Sequence, residues 1–202
     1  MTTLLVLMMS TVMTAKPVEP FEGVLEFKIV LQGGDGSLTT QVSPIGVHSS
    51  GRVKYLNEVT ETTVVVRAKD PDVAWSWQPS ERRYSKMPMP PSPKRKLTAE
   101  LKGETAVAGV PCSVVVITGP EGVSEYCSAT GFVGDATREF LVTAAQRLAP
   151  DIEEALRSVK GYGLVVRLKQ TSTDGKVMSG YELTKVTRKK IDRTLFDVEK
   201  AR

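Results

Sequence analysis

The segment Cys112-SVVVITGPEGVSEY-Cys127 decides the fold. Two β-rich runs, Pro111–Thr118 and Val123–Ser128, flank Gly119-Pro120-Glu121-Gly122, where Pro and Gly stand at positions a reverse turn favours. The segment therefore predicts two antiparallel strands. A hairpin turning on Pro120-Glu121 sets Cys112 opposite Ala129 or Thr130, not opposite Cys127. Three readings of the cysteine pair follow. They form a disulfide through a bulge, an offset register or a crossing beyond the paired region; they are two buried thiols; or they are a redox pair. A disulfide would close a loop of about 15 residues, worth roughly 3 kcal/mol in the chain-entropy model, and would imply an oxidising compartment.

The same signals run outward in both directions. In FEGVLEFKIVL (21–31), Phe21, Leu25, Phe27, Ile29 and Leu31 share one face, and Glu22, Glu26 and Lys28 the other, which is the alternation of a half-buried strand. Gly33-Gly34-Asp35-Gly36 predicts a turn. Strands are predicted at Leu38–Val47, Arg52–Asn57, Thr62–Ala68, Val73–Gln78 and Arg82–Lys86, then at Leu97–Leu101 and Thr105–Ala108. The last two strands, Leu164–Thr171 and Val177–Thr187, flank Asp174-Gly175, a strong hairpin signal. This spacing predicts an antiparallel up-and-down sheet. Between strands, MPMPPSPKRK (87–96) holds four prolines in ten residues, which excludes a helix and an interior strand.

Helical patterning is confined to one region. Asp135 can cap a helix to about Leu148, with Phe140, Leu141, Ala144, Ala145 and Leu148 on one face. Pro150 suits the first turn of a second helix carrying Ile152, Ala155, Leu156 and Val159, and Gly161 is a natural terminator.

The 202 residues fit one domain, and the net charge of +4 is no nucleic-acid signature. The apolar run Leu4–Met13 is too short to span a bilayer. It fits the core of a signal peptide cleaved near Ala15, although no basic residue precedes it. The expected organisation is a signal peptide over 1–15 and a single domain over 16–202, in the periplasm or secreted. No cysteine follows the apolar run, so no lipid-attachment site is expected there.

Catalytic chemistry is not expected. His48 is the only histidine, and with two cysteines it makes no credible zinc site. No nucleophile motif accompanies it. Glu153-Glu154 and the other carboxylates are scattered over predicted helix faces and turns. The chain is read as a non-enzyme without cofactor or metal. Lys94-Arg95-Lys96 and Arg188-Lys189-Lys190 are solvated surface or contacts to anionic headgroups or a partner. Trp75 and Trp77 share a strand face. They either pack in the core or line an apolar ligand cavity.

Gly103-Glu104-Thr105…Ala108-Gly109-Val110-Pro111-Cys112, followed by Glu125-Tyr126-Cys127-Ser128-Ala129, resembles the central motif of a bacterial domain-of-unknown-function family of exported proteins. The start, Phe21-Glu22-Gly23, and the close, Ile191-Asp192-Arg193-Thr194-Leu195-Phe196-Asp197-Val198, fit it too, with Thr194 and Glu199 departing from the pattern. Such proteins look like relatives of the lipoprotein-carrier (LolA/LolB-like) fold. The resemblance implies a mostly β, α+β domain, in which a strongly curved antiparallel sheet forms an unclosed barrel and two helices cover its concave face. It also implies a cavity for a lipid, lipoprotein acyl chains or another hydrophobic ligand. Trp75, Trp77, Phe27, Phe140 and Leu156 are its candidate lining. The other expectation is a structural or interaction module of the envelope, with a protein partner, no small ligand and at most peripheral membrane contact.

Overall fold

The computed structural model describes residues 21–87, 95–131 and 149–200. Its strands are β1 (Gly23–Leu31), β2 (Gly34–Ser43), β3 (Gly46–Tyr55), β4 (Glu58–Arg67), β5 (Asp70–Gln78), β6 (Arg83–Met87), β7 (Thr98–Val107), β8 (Val110–Gly119), β9 (Gly122–Ala129), β10 (Leu164–Thr171) and β11 (Val177–Arg188). They form one 11-stranded antiparallel sheet in the order β6-β5-β4-β3-β2-β1-β11-β10-β9-β8-β7. Each strand pairs with its sequence neighbour except β6 with β7, and β1 joins β11 in the middle. The sheet is thus a meander whose first and last strands meet and which opens between β6 and β7. The opening coincides with the proline-rich stretch, whose prolines cannot donate to a ladder.

Chain connectivity forces this sheet to bend. Eleven strands laid flat would be about 48 Å across, at ~4.8 Å per step. Met87 and Thr98 stand on the two edges and are joined by a connection that reaches at most about 40 Å. Because the strand number is odd, the edge strands run parallel, and the connection must also pass from one rim of the sheet to the other. The β6 and β7 edges do not pair, and the expected unclosed antiparallel sheet is present.

Several predicted boundaries move. The run Leu38–Val47 is two strands, because Pro44-Ile45 makes the turn between β2 and β3. Gly34 and Gly36 lie inside β2 rather than in the turn, where a Cβ would meet the Lys54 and Arg52 carbonyls at 2.4 and 2.5 Å. The strand predicted from Arg52 starts earlier, at Gly46, with Gly51 inside it, and the one predicted from Val73 starts at Asp70. The predicted strands 97–101 and 105–108 are one strand, β7, interrupted by a register shift between Leu101 and Gly103. Ala108 and Gly109 form the β7–β8 turn with φ of 49° and 77°, so Ala108-Gly109 is a left-handed turn.

One α-helix is described, α1 (Pro150–Ser158), with Pro150 in its first turn as expected. The helix expected over 135–148 lies outside the described residues, as do the segment 1–20 and residues 88–94. α1 ends differently from expectation. The left-handed residue is Lys160, with φ of 56°. Gly161 is required for space, since a Cβ there would come within 2.3 Å of Val115 Cγ2.

Lateral register sorts the side chains onto two faces. Ile29, Tyr181, Leu168, Tyr126 and Val115 follow one another across β1, β11, β10, β9 and β8. α1 packs on this face, with Leu156 completely buried against Val115, Ile117, Tyr126 and Val165. Val24, Gln41, His48, Val65 and Trp75 follow one another across β1 to β5 on the opposite face. The C-terminal tail covers that face, and Ile191, Phe196 and Val198 bury themselves against Val24, Val65 and Trp75. A 3₁₀ turn, Arg193–Phe196, shapes the tail, with Asp192 accepting from the Thr194 amide at 2.9 Å. Gly46 makes room for it, since a Cβ there would meet the Phe196 ring at 2.6 Å.

The cysteine segment keeps the predicted hairpin. Gly119 pairs with Gly122, and the β8–β9 ladder runs without a bulge to Ser113 opposite Ser128. Cys112 lies just past the end of that ladder. It forms a disulfide with Cys127, with the Cα atoms 5.4 Å apart. The bridge is therefore diagonal, from Cys112 at the end of the ladder to Cys127, which pairs with Val114 inside it, and both cysteines are buried in the largest core cluster.

Candidate functional site

A groove of about 460 Å³ opens on the α1 face of the sheet. Leu97, Ile117, Val123, Tyr126, Ile152 and Met178 supply its apolar lining. The residues come from β8, β9 and β11, from the chain entering β7, and from α1. Ile152 reaches it because α1 carries its apolar stripe at i, i+3, i+4 and i+7 toward the sheet. Gly122 allows the β8–β9 turn to lie against β10, since a Cβ there would sit 2.3 Å from the Thr171 carbonyl oxygen.

An ion pair stands at one end of the groove. Arg95 Nε and Nη2 donate to the two carboxylate oxygens of Asp151 at 2.8 and 3.2 Å, and the Arg95 amide donates to the same carboxylate at 3.2 Å. Arg95 Nη1 reaches Glu121 at 3.2 Å. Asp151 also accepts from the Ile152 amide at 2.9 Å, which fixes it at the start of α1. The hydrogen bonds from Arg95 hold the Asp151 carboxyl below its usual range, against the opposing effect of burial. This pair ties the strand entering β7 to the helix and leaves the groove itself lined mainly by apolar groups. Burial pushes up the hydroxyl of Tyr126, which lines the groove, and that of Tyr181, so both are neutral phenols. Tyr181 meets Phe27 edge-on at 5.7 Å, which links the helix-side cluster to the main core.

The residues predicted to line one cavity are not brought together. Phe27 lies in the main core cluster and Leu156 beneath α1. Trp75 and Trp77 lie on the opposite face of the sheet, because Trp75 stands in register with Val65 and His48. Trp75 packs against the tail cluster, with the Arg67 guanidinium 5.3 Å and Lys86 Nζ 5.6 Å from its ring centroid. Trp77 meets Tyr84 edge-on at 5.2 Å. Phe140 lies outside the described residues. Of the groove residues, Ile152 was marked in the sequence as part of an apolar helix stripe. Arg95 was legible only as one of three adjacent basic residues, and Ile117 and Met178 only as strand positions.

His48 is nearly buried on the tail-covered face, and burial lowers its pKa. Among the described residues, no group of three or more His, Cys, Asp or Glu side chains could hold a metal ion. No helix among them is long and apolar enough to cross a membrane.

Residues 21–200 match the family described as a domain of unknown function (DUF4412), and the chain belongs to that family. No curated protein matches the chain. Among solved structures, the chain is similar to MucB, with 11% identity and a TM-score of 0.48 over 89% of this chain and 58% of that one. It is also similar to an uncharacterised conserved protein from Thermus thermophilus, with 11% identity and a TM-score of 0.46 over 89% and 88% of the two chains. A third is a putative outer membrane lipoprotein-sorting protein domain from Vibrio parahaemolyticus, with 8% identity and a TM-score of 0.38 over 88% and 89%. The chain spans a little over half the length of the MucB chain.

Proposed function

We propose that this chain is a binding module of the cell envelope, and that it takes one apolar chain of a lipid-like ligand into the groove between α1 and strands β8–β11. The groove carries the reading. Its volume of about 460 Å³ lies within the usual range for ligand pockets, ~300–1,000 Å³. Its lining is mainly apolar, with Ser124, Gln170, Thr171 and Ser179 among it, and the Arg95–Asp151 ion pair is already satisfied at its end. Binding would be driven by burial of apolar surface, at about 25 cal/mol per Å² before the costs of association. An extracytoplasmic location is supported by the apolar N-terminal run and by the buried disulfide.

Titration with the fluorescent probe N-phenyl-1-naphthylamine tests this. Val123 and Met178 are exposed in the groove lining, so Val123→Arg with Met178→Arg leaves the core intact. Saturable binding by the parent protein and a loss of at least about tenfold in the double variant are expected, equivalent to ~1.4 kcal/mol. No saturable binding by the folded parent protein would refute it.

A second reading, an interaction module without a small ligand, draws on one observation. The Trp75 face, where the aromatic pair suggested a cavity, is filled by the protein's own tail. This reading predicts a folded protein that binds no probe and captures an envelope protein.

A further inference from the structure

A second cleft, of about 500 Å³, lies on the opposite face, between the β2–β3 turn, the β4–β5 turn and the C-terminal tail. Arg67, Lys69 and Arg193 line it together with Ile45, Phe196 and Glu199. Arg67 is the unusual member, because only 11% of its side chain is exposed. A buried guanidinium needs acceptors for its five N–H groups and a counter-charge. It has Asp70 at 2.7 Å on Nη2 and Glu199 at 3.2 Å on Nη1, while Nε is buried with no hydrogen-bond partner. Trp75 Nε1, beside it, and His48 Nδ1, on the same face, are likewise buried and unpartnered. On this face the tail packs Ile191, Phe196 and Val198 against Val24, Val65 and Trp75.

Glu199 is a loosely held partner. Its side chain is 71% exposed, and its ion pair among the described residues is the one with Arg67. Lys69 and Arg193 have no carboxylate partner among the described residues. Asp197 is paired with Lys200 at 3.0 Å. With Glu199 swung away, the charged lining of the cleft would be Arg67, Lys69 and Arg193 against Asp197, with Asp70 still on Arg67 and Asp197 already paired with Lys200.

We propose that this cleft is a binding site for an oxyanion, a carboxylate or phosphate group held by Arg67 with Lys69 and Arg193, and that the Glu199 carboxylate is its displaceable occupant. The planar guanidinium suits two-point contact with such a group. The apolar surface of Ile45 and Phe196 beside it suits an anion carried on a small organic molecule. The site is independent of the apolar groove, since the two lie on opposite faces of the sheet.

The test follows the Arg67 Nε–H resonance in ¹⁵N-labelled full chain while inorganic phosphate or acetate is titrated at constant ionic strength, which removes general screening. The expected result is a saturable shift with one or both anions. The responding anion distinguishes phosphate from carboxylate chemistry. Glu199→Gln, which removes the internal competitor, should tighten binding by about tenfold, and Lys69→Ala with Arg193→Ala should weaken it by a similar factor. Both changes are at exposed positions, so neither depends on replacing the buried Arg67. A resonance that neither anion moves, or a shift that both variants leave unchanged, would overturn the proposal.

Discussion

Replacing Cys112 and Cys127 together by alanine should lower the stability of the fold by about 3 kcal/mol. The bridge closes a loop with a sequence separation of 15, and the chain-entropy model gives ~3 kcal/mol for that length. Alanine is the replacement of choice because both positions are buried in the main core, where a serine hydroxyl would need a partner. With a urea m-value of about 2 kcal/mol/M, the midpoint should fall by roughly 1.5 M. Reduction of the parent protein should produce nearly the same loss, and reductant should have no effect on the double variant. That comparison separates the bridge from the side chains. Thiol titration of the unfolded, unreduced protein should count no free thiols. Equal midpoints for reduced and unreduced parent protein would refute the reasoning, as would two free thiols.

Leu156→Ala should destabilise the fold by about 2–5 kcal/mol, read from urea midpoints, because the side chain is wholly buried between α1 and the sheet. Gly161→Ala should cost about 1–3 kcal/mol rather than stabilise by restricting the unfolded chain, because the added methyl meets Val115 at 2.3 Å. Asp151 is held below its usual carboxyl range, so its ion pair contributes stability at neutral pH that is lost as pH falls through the lowered folded value. Asp151→Asn should therefore be less stable than the parent protein at neutral pH and converge with it in acid, as followed by urea unfolding at a series of pH values.

Strand content and turns were legible because both write themselves locally. Alternation in Phe21–Leu31 and the Pro-Glu and Asp-Gly turns each concern residues a few positions apart. The merged strand 38–47 shows where local reading fails. Apolar Val42, Ile45 and Val47 stand on both sides of Pro44, and Pro44 and Gly46 were the local marks of the turn. The face on which each strand lies depends on register across the whole sheet. For that reason Trp75 and Trp77 could be assigned a common face but not the side opposite Leu156. The tail contact was beyond local reading for the same reason: Arg67 and Glu199 are 132 residues apart. Arg95 was visible only as a surface charge, because its partner Asp151 is 56 residues away.

The apolar groove is tested most directly by methyl resonances. With Ile, Leu and Val methyl groups labelled, titration of a medium-chain fatty acid should shift Leu97, Ile117, Val123 and Ile152 in a saturable manner, while Val65, Ile191 and Val198 on the other face stay fixed. Saturable shifts confined to the tail face, or no saturable shift at all in the folded protein, would contradict the account.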